Sequence, residues 1–363
     1  EGAGSPVEVN LQHKDLTNLK LAKFLKANCI LVADIERGGV FAQIIGTIAL
    51  MKPEEKRLIK GIIINRFRGD KALFETGVTW IEKETGIPVL GILPWLKEIF
   101  PPEDSLDLID RKQINPRAEI ELAIIKLPRI SNFSDIDPFF SESSIQIRWI
   151  EPGQKLGNPD ALIIPGSKQT IKDLEILNKT GMSTQIKAYA KNGGNIFGIC
   201  GGLQMLGQSL KDPHKKESIN ELGSYSYMGL NLLPIKTTFG EIKRTKQREE
   251  IASWPELAKV KGFEMHYGES DLINKTNSDI ISLFKNSSIG WVHQKKDKSF
   301  IGGTYLHGIF ENDGWRRQWI NQIRQKKGLN KLGYIAEKKN KKDRLLNLLT
   351  DSFEKNINID RCI

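Results

Sequence analysis

Over the first hundred residues, short runs of β-branched and apolar residues alternate with amphipathic stretches. Cys29–Ile35 (CILVADI), Gly61–Arg66 (GIIINR) and Val89–Pro94 (VLGILP) read as buried strands, with helices predicted between them over 38–51 and 70–85. Uninterrupted apolar strands separated by helices predict a parallel sheet covered on both faces. A polar, proline-bearing stretch then breaks the pattern, and a linker is expected over 98–117. A second α/β series follows. Glu121–Leu127, Ala161–Pro165 and Asn195–Cys200 are its clearest strands, and 171–177 and 203–210 are helical. Lys-rich, weakly periodic segments at 211–221 and 241–260 read as surface insertions. Trp315, Trp319 and Ile323 recur at helical spacing, and a basic helix or tail is expected over 321–363. The fold class is therefore two linked three-layer α/β domains.

Composition narrows this little. With 363 residues, 39% apolar and 27% charged, the chain is long enough for two ordinary globular domains. The net charge of +10 comes largely from Lys runs without interleaved aromatics. Such runs are solvated faces rather than a nucleic-acid surface, and an acidic small-molecule substrate fits the balance as well. Three cysteines, Cys29, Cys200 and Cys362, make neither a disulfide framework nor a metal ribbon, which points to a reducing cytoplasm. No run of about 18 apolar residues offers a membrane span.

The strongest local signal is Gly198-Ile199-Cys200-Gly201-Gly202, which closes an apolar strand and opens a helix. A sharp strand-to-helix turn needs small neighbours to expose the side chain at its apex. The following helix N-terminus favours a thiolate and offers amides to an oxyanion. The alternative is a structural cysteine in a Gly-rich turn. A thiolate needs a base, and His307, in GTYLHGIF (303–310), stands late in the chain at the end of a strand, with His266 in GFEMHYG (262–268) as its competitor. His13, His214 and His293 lie in polar surroundings.

Taken in order, PGSK (165–168), GICGGLQMLG (198–207), GFEMHYG and GTYLHGIF resemble the class I glutamine amidotransferases, and within them the cobyric acid synthase branch. The stretches EGAGSP (1–6), VADIERGGVF (32–41) and NRFRG (65–69) are similar to the C-terminal half of that branch's ATP-dependent synthetase domain, whose fold is like dethiobiotin synthetase. LPRISNF (127–133) is similar to the start of its amidotransferase domain. The resemblance implies a division into 1–97, the end of a synthetase domain; 98–117, a linker; 118–320, the amidotransferase; and 321–363, a tail.

It also implies roles. Cys200 attacks the glutamine carboxamide and His307 shuttles the proton, while Gly166, Ser167, Gly201 and Gln204 bind the oxyanion and the glutamine. Many class I enzymes carry a Glu two residues after the catalytic His; here Ile309 stands there, so the pair reads as a dyad, with Glu264 or another carboxylate as its orienter. ATP and Mg²⁺ are co-substrates, no prosthetic group is expected, and Glu1 is the implied Mg²⁺ ligand. Asp34, Glu36, Arg37 and Asn65 are the implied ATP- or substrate-binding residues, against surface ion pairs and a turn-capping Asn. The implied acceptor is adenosylcobyrinic acid a,c-diamide, four of whose carboxylates become amides; neither nucleic acid nor membrane is a partner. The sister enzyme acting on cobyrinic acid, a cell-wall lipid amidotransferase and a non-catalytic module are the competing readings. The chain starts on Glu and holds no GxxxxGK[ST] loop. The expectation is that the N-terminal part of the synthetase domain is absent from it.

Overall fold

The computed structural model describes residues 5–10, 17–96, 115–217, 226–273, 279–333 and 341–358. The chain divides into two compact units, Glu1–Phe100 with Lys339–Ile363, and Pro101–Lys338. The expected linker therefore lies, but for residues 115–117, outside the described residues, as do Glu1, His13 and Cys362.

In the first unit, β1 (Cys29–Asp34), β2 (Ile59–Phe67) and β3 (Val89–Pro94) form a parallel sheet in the order β1-β2-β3. Helices Val40–Leu50 and Glu75–Thr85 connect them, as the apolar periodicity predicts. Ile44, Ile62, Ile64 and Ile81 are its driest side chains. The stretch 321–363, expected as a basic helix or tail, returns to this unit at its end. Its helix, Lys341–Asn356, packs on β3, and Ile357 joins Ile63, Leu90 and Leu93 in a small core. Gly91 makes the approach possible, since a Cβ there would lie 2.0 Å from the Asn356 carbonyl oxygen.

The second unit runs through β4 (Ile120–Ile125), β5 (Ile130–Ser131), β6 (Ile145–Ile150), β7 (Ala161–Ile164), β8 (Gly166–Ser167), β9 (Ile196–Ile199), β10 (Ser209–Lys211), β11 (Ser226–Met228) and β12 (Ile235–Thr238). It continues with β13 (Arg244–Ala252), β14 (Ala258–His266), β15 (Glu269–Leu272), β16 (Ile280–Ser282), β17 (Gly290–Gln294), β18 (Phe300–Thr304) and β19 (Leu306–His307). Its main sheet has the order β16-β17-β18-β9-β7-β4-β6, parallel from β18 to β6. The central strands β7 and β9 are buried at every position, which is why they read as continuous apolar runs. Part of 241–260, expected as an insertion, is β13 of an antiparallel β13-β14-β19 sheet. Its weak periodicity follows from position, because β13 is an edge strand exposed along most of its length. Among the described residues no helix is long and apolar enough to cross a membrane.

Candidate active site

The carboxyl ends of β7, β9 and β18 converge where an open α/β sheet places its ligand. β9 ends at Ile199, and Cys200 turns the chain into helix Gly201–Leu206 with φ 51° and ψ −108°, a conformation that L side chains avoid. The turn is held by the Cys200 amide on the Thr304 carbonyl at 2.8 Å, and Gly202 lets the helix touch β7, since a Cβ there would sit 1.9 Å from the Ile164 oxygen. Such strain persists only where surrounding contacts enforce it, and here it presents a buried thiol at the end of the sheet. Sγ donates to the Met265 carbonyl, 3.7 Å away.

His307 is wholly buried on β19, with Phe263 stacked on its ring at 5.2 Å between centroids. Its Nδ1 meets Asp135 Oδ2 at 2.8 Å, and Asp135 Oδ1 accepts from the Gly308 amide at 2.7 Å. Burial alone would lower the pKa of His307. The Asp135 hydrogen bond and the neighbouring Cys200 thiol outweigh it and raise it to about 10. The carboxylate on the base is thus Asp135, from the 3₁₀ segment Phe133–Ser141, and not Glu264.

Glu264 is also fully buried, but it belongs to another cluster. One oxygen pairs with Arg248, and the other lies 3.1 Å from His266 Nε2. The Nδ1 of His266 faces the Gly268 carbonyl at 2.9 Å, and its ring stacks on Tyr305 at 3.8 Å. Burial lowers the His266 pKa, against the pull of Glu264. The strand β14, which carries Glu264 and His266, touches both reactive residues, with the Met265 carbonyl at Cys200 and Phe263 on His307.

The PGS loop closes the site from the β7 side. Gly166 and Ser167 form β8, paired antiparallel with β5 through Ile130↔Ser167 and Ser131↔Gly166. Ser167 Oγ donates to the buried Asp173 at 2.7 Å, which also accepts from Arg129. Gly201 lies against this loop, since a Cβ on it would meet the Ser167 nitrogen at 3.0 Å. Gly166, Ser167, Gly201, Cys200 and His307 therefore come together. Gln204 sits beneath them with its carboxamide committed inside the fold: Nε2 donates to the Tyr267 carbonyl and the Tyr305 hydroxyl, and Oε1 accepts from Thr170.

The residues expected in the first unit gather separately, at the carboxyl ends of β1 and β2, where Asp34 and Asn65 are register partners. Asp34 pairs with Arg66 at 3.2 Å and Glu36 with Arg68 at 2.8 Å, all four partly exposed. The Arg68 guanidinium lies 3.9 Å over Trp95. Asn65 accepts from the Arg66 amide, and Arg37 is exposed. Glu1 lies outside the described residues, and among those described no three metal-ligating side chains converge.

Asp135 and Asn132 escaped the sequence reading, although LPRISNF ends two residues short of Asp135. The sequence links neither to His307; the β5–β8 pairing and the turn that follows it do so in space.

A thiol on a strained turn, a carboxylate-bound imidazole and a backbone loop facing both form a nucleophile–base arrangement, and the class comes from the family match. Residues 121–315 match the CobB/CobQ-like glutamine amidotransferase domain, and residues 1–103 match an AAA domain. The chain is 83% identical over 361 residues to a cobyric acid synthase of Prochlorococcus marinus (strain NATL1A), covering 99% of this chain and 73% of that protein. It is 55% identical to the cobyric acid synthase of P. marinus (strain MIT 9313) over 99% of this chain and 72% of that one. It is 51% identical to the one from Synechococcus sp. (strain CC9605), over 99% of this chain and 71% of that protein. The chain belongs to the cobyric acid synthase family. It is accordingly an ATP-dependent, glutamine-using amide ligase of cobalamin biosynthesis.

Proposed function

We propose that Cys200, His307 and Asp135 form the glutaminase centre that supplies ammonia to this ligase. With its proton held on His307 Nε2, Cys200 attacks the glutamine carboxamide carbon as the thiolate. The negative oxygen of the tetrahedral adduct is held by the Gly201 amide and an amide of Gly166 or Ser167. His307 then protonates the leaving nitrogen, which departs as ammonia and leaves a glutamyl thioester. Water, deprotonated by the same imidazole, hydrolyses the thioester to glutamate. Asp135 holds the ring by Nδ1 and stabilises the imidazolium that forms, and Gln204 props the elbow helix rather than touching glutamine.

The ammonia displaces phosphate from acceptor carboxylates activated by ATP, with magnesium accompanying the nucleotide. The acceptor is adenosylcobyrinic acid a,c-diamide, amidated at its b, d, e and g carboxylates in the cytoplasm. The Asp34–Arg66 and Glu36–Arg68 pairs, with Asn65, face that half of the reaction at the sheet's carboxyl edge. The observation that carries the glutaminase reading is the 2.8 Å contact of Asp135 with a wholly buried His307 beside the strained Cys200.

Labelling with a diazo-ketone analogue of glutamine, followed by peptide mapping, tests it. One label on Cys200 is expected, blocked by glutamine and abolished in Cys200→Ala, while that substitution in the full-length protein leaves ammonia-dependent amidation intact. Equal, unprotected labelling of Cys29, Cys200 and Cys362 overturns it.

A further inference from the structure

The turn after β5 grips both nitrogens of one imidazole. Asp135 takes Nδ1, and Asn132, three residues earlier, places its Nδ2 3.0 Å from Nε2. The geometry is fixed locally. Asn132 has φ 48° and ψ 49°, in the left-handed region that Asn tolerates better than most residues, and its carbonyl accepts from the Asp135 amide at 3.0 Å. Ser131, its neighbour, pairs with Gly166 of the PGS loop, so Asn132 stands at the edge of the backbone that faces Cys200.

Nε2 offers a single in-plane direction, a lone pair when the ring is neutral and an N–H when it is charged. A carboxamide can meet either, through Nδ2 or, turned over, through Oδ1. That direction is also the one through which Nε2 must take the Cys200 proton and pass it to the leaving nitrogen. In this structure the thiol, meanwhile, donates to the Met265 carbonyl. Each half of the reactive pair thus has a third-party partner.

We propose that Asn132 is a positioning residue whose carboxamide, the same group that glutamine presents, occupies His307 Nε2 in the resting site until the substrate carboxamide displaces it. The inference rests on the glutaminase reading above. Its functional meaning is restraint: glutamine has to compete with an internal stand-in before the base is free.

Asn132→Gly and Asn132→Ala in the full chain test this, the first keeping the left-handed backbone relaxed and the second straining it. Both remove the amide, so agreement between them excludes a backbone effect, and the Gly variant stands alone if the Ala variant does not fold. Glutamate release and Cys200 alkylation by iodoacetamide are measured. KM for glutamine is expected to fall, and alkylation to accelerate, by about fivefold, the worth of one ordinary hydrogen bond, with kcat little changed. Unchanged KM and alkylation overturn the proposal, and so does a loss of kcat with KM constant or raised. Wild-type protein and Cys200→Ser are run beside them. If glutamine fails to protect Cys200 in the wild type, the underlying glutaminase reading fails. If it protects there and the Asn132 variants behave like wild type, only the restraint fails.

Discussion

The two units each collect charged side chains at the carboxyl ends of a parallel sheet, in opposite surroundings. In the second unit Asp135 and His307 are 3% and 0% exposed, and each polar atom of the pair is answered by another. In the first unit the side chains of Arg66 and Arg68 are 50% and 58% exposed, over carboxylates exposed by about a third. Identical chemistry is worth different amounts in the two places. A buried, hydrogen-bonded carboxylate sets the proton affinity of its neighbour, whereas an exposed ion pair is screened and contributes little. The first arrangement suits a proton shuttle. The second leaves cations and carboxylates ready to exchange partners with a highly charged substrate.

The sharpest way to break this contrast is Asp135→Asn, which keeps the shape and removes the charge. Glutaminase kcat is expected to fall by about 10²- to 10⁴-fold, with ammonia-dependent amidation unaffected. The pH dependence has a definite sign. Because folding raises His307 from 6.5 to about 10, its contribution to stability is complete below pH 6.5 and is lost as the pH rises through 10. Denaturant titrations across that window should show the loss in wild type and a flatter curve in Asp135→Asn. A variant with wild-type glutaminase would remove Asp135 from the site.

The next test keeps to the buried unit but leaves the reactive pair. Glu217 is pushed up to about 7 chiefly by burial, against amide hydrogen bonds from Thr170 and Ile171, and one of its oxygens lacks a partner among the described residues. A carboxyl raised in this way favours the folded state most below its unfolded value near 4.5, and that advantage disappears as the pH rises through 7. Glu217→Gln should therefore match wild type at pH 4 and exceed it by about 2–3 kcal/mol at pH 8. Thermal melts at the two pH values decide, and equal differences at both would mean that the carboxylate is already paired.

The smallest effect belongs to the exposed edge. Arg68→Ala, which removes the Glu36 pair and the Trp95 contact, should cost less than about 1 kcal/mol by chemical denaturation. A loss of several kcal/mol would show that the two edges are alike. If stability holds and ATP-dependent turnover drops, the contrast is sharpened instead.

What the sequence disclosed follows the same division. The strands β7 and β9 were legible because burial at every position leaves an unbroken apolar run along them, and β1, β2, β3 and β4 because apolar residues dominate them, although Ile30 and Val32 of β1 are 39% and 56% exposed. Cys200 was legible because a nucleophile on a strained turn needs glycines beside it, and those neighbours are local. Asp135 was not, since its bond to His307 spans 172 positions and no spacing rule connects them. Glu264 was the carboxylate named as a possible orienter, with others left open, yet strand alternation aims it at Arg248 and His266 while its neighbour Phe263 covers His307. The edge strand β13 and the helix Lys341–Asn356 were hidden by their charge. In both, lysines and arginines dilute the few apolar positions along the sequence.

The return of Ile357 to Gly91 and Leu90 has a consequence for synthesis. The ribosome finishes β3 well over two hundred residues before it makes the helix that covers Leu90 and Leu93. Throughout that interval the nascent first unit carries an unfinished apolar face, exposed to chaperones and proteases while the second unit is already free to fold. Any message cut short just before that helix would yield a chain with an intact glutaminase centre and an uncovered β3, a product that quality control can recognise by its opposite end.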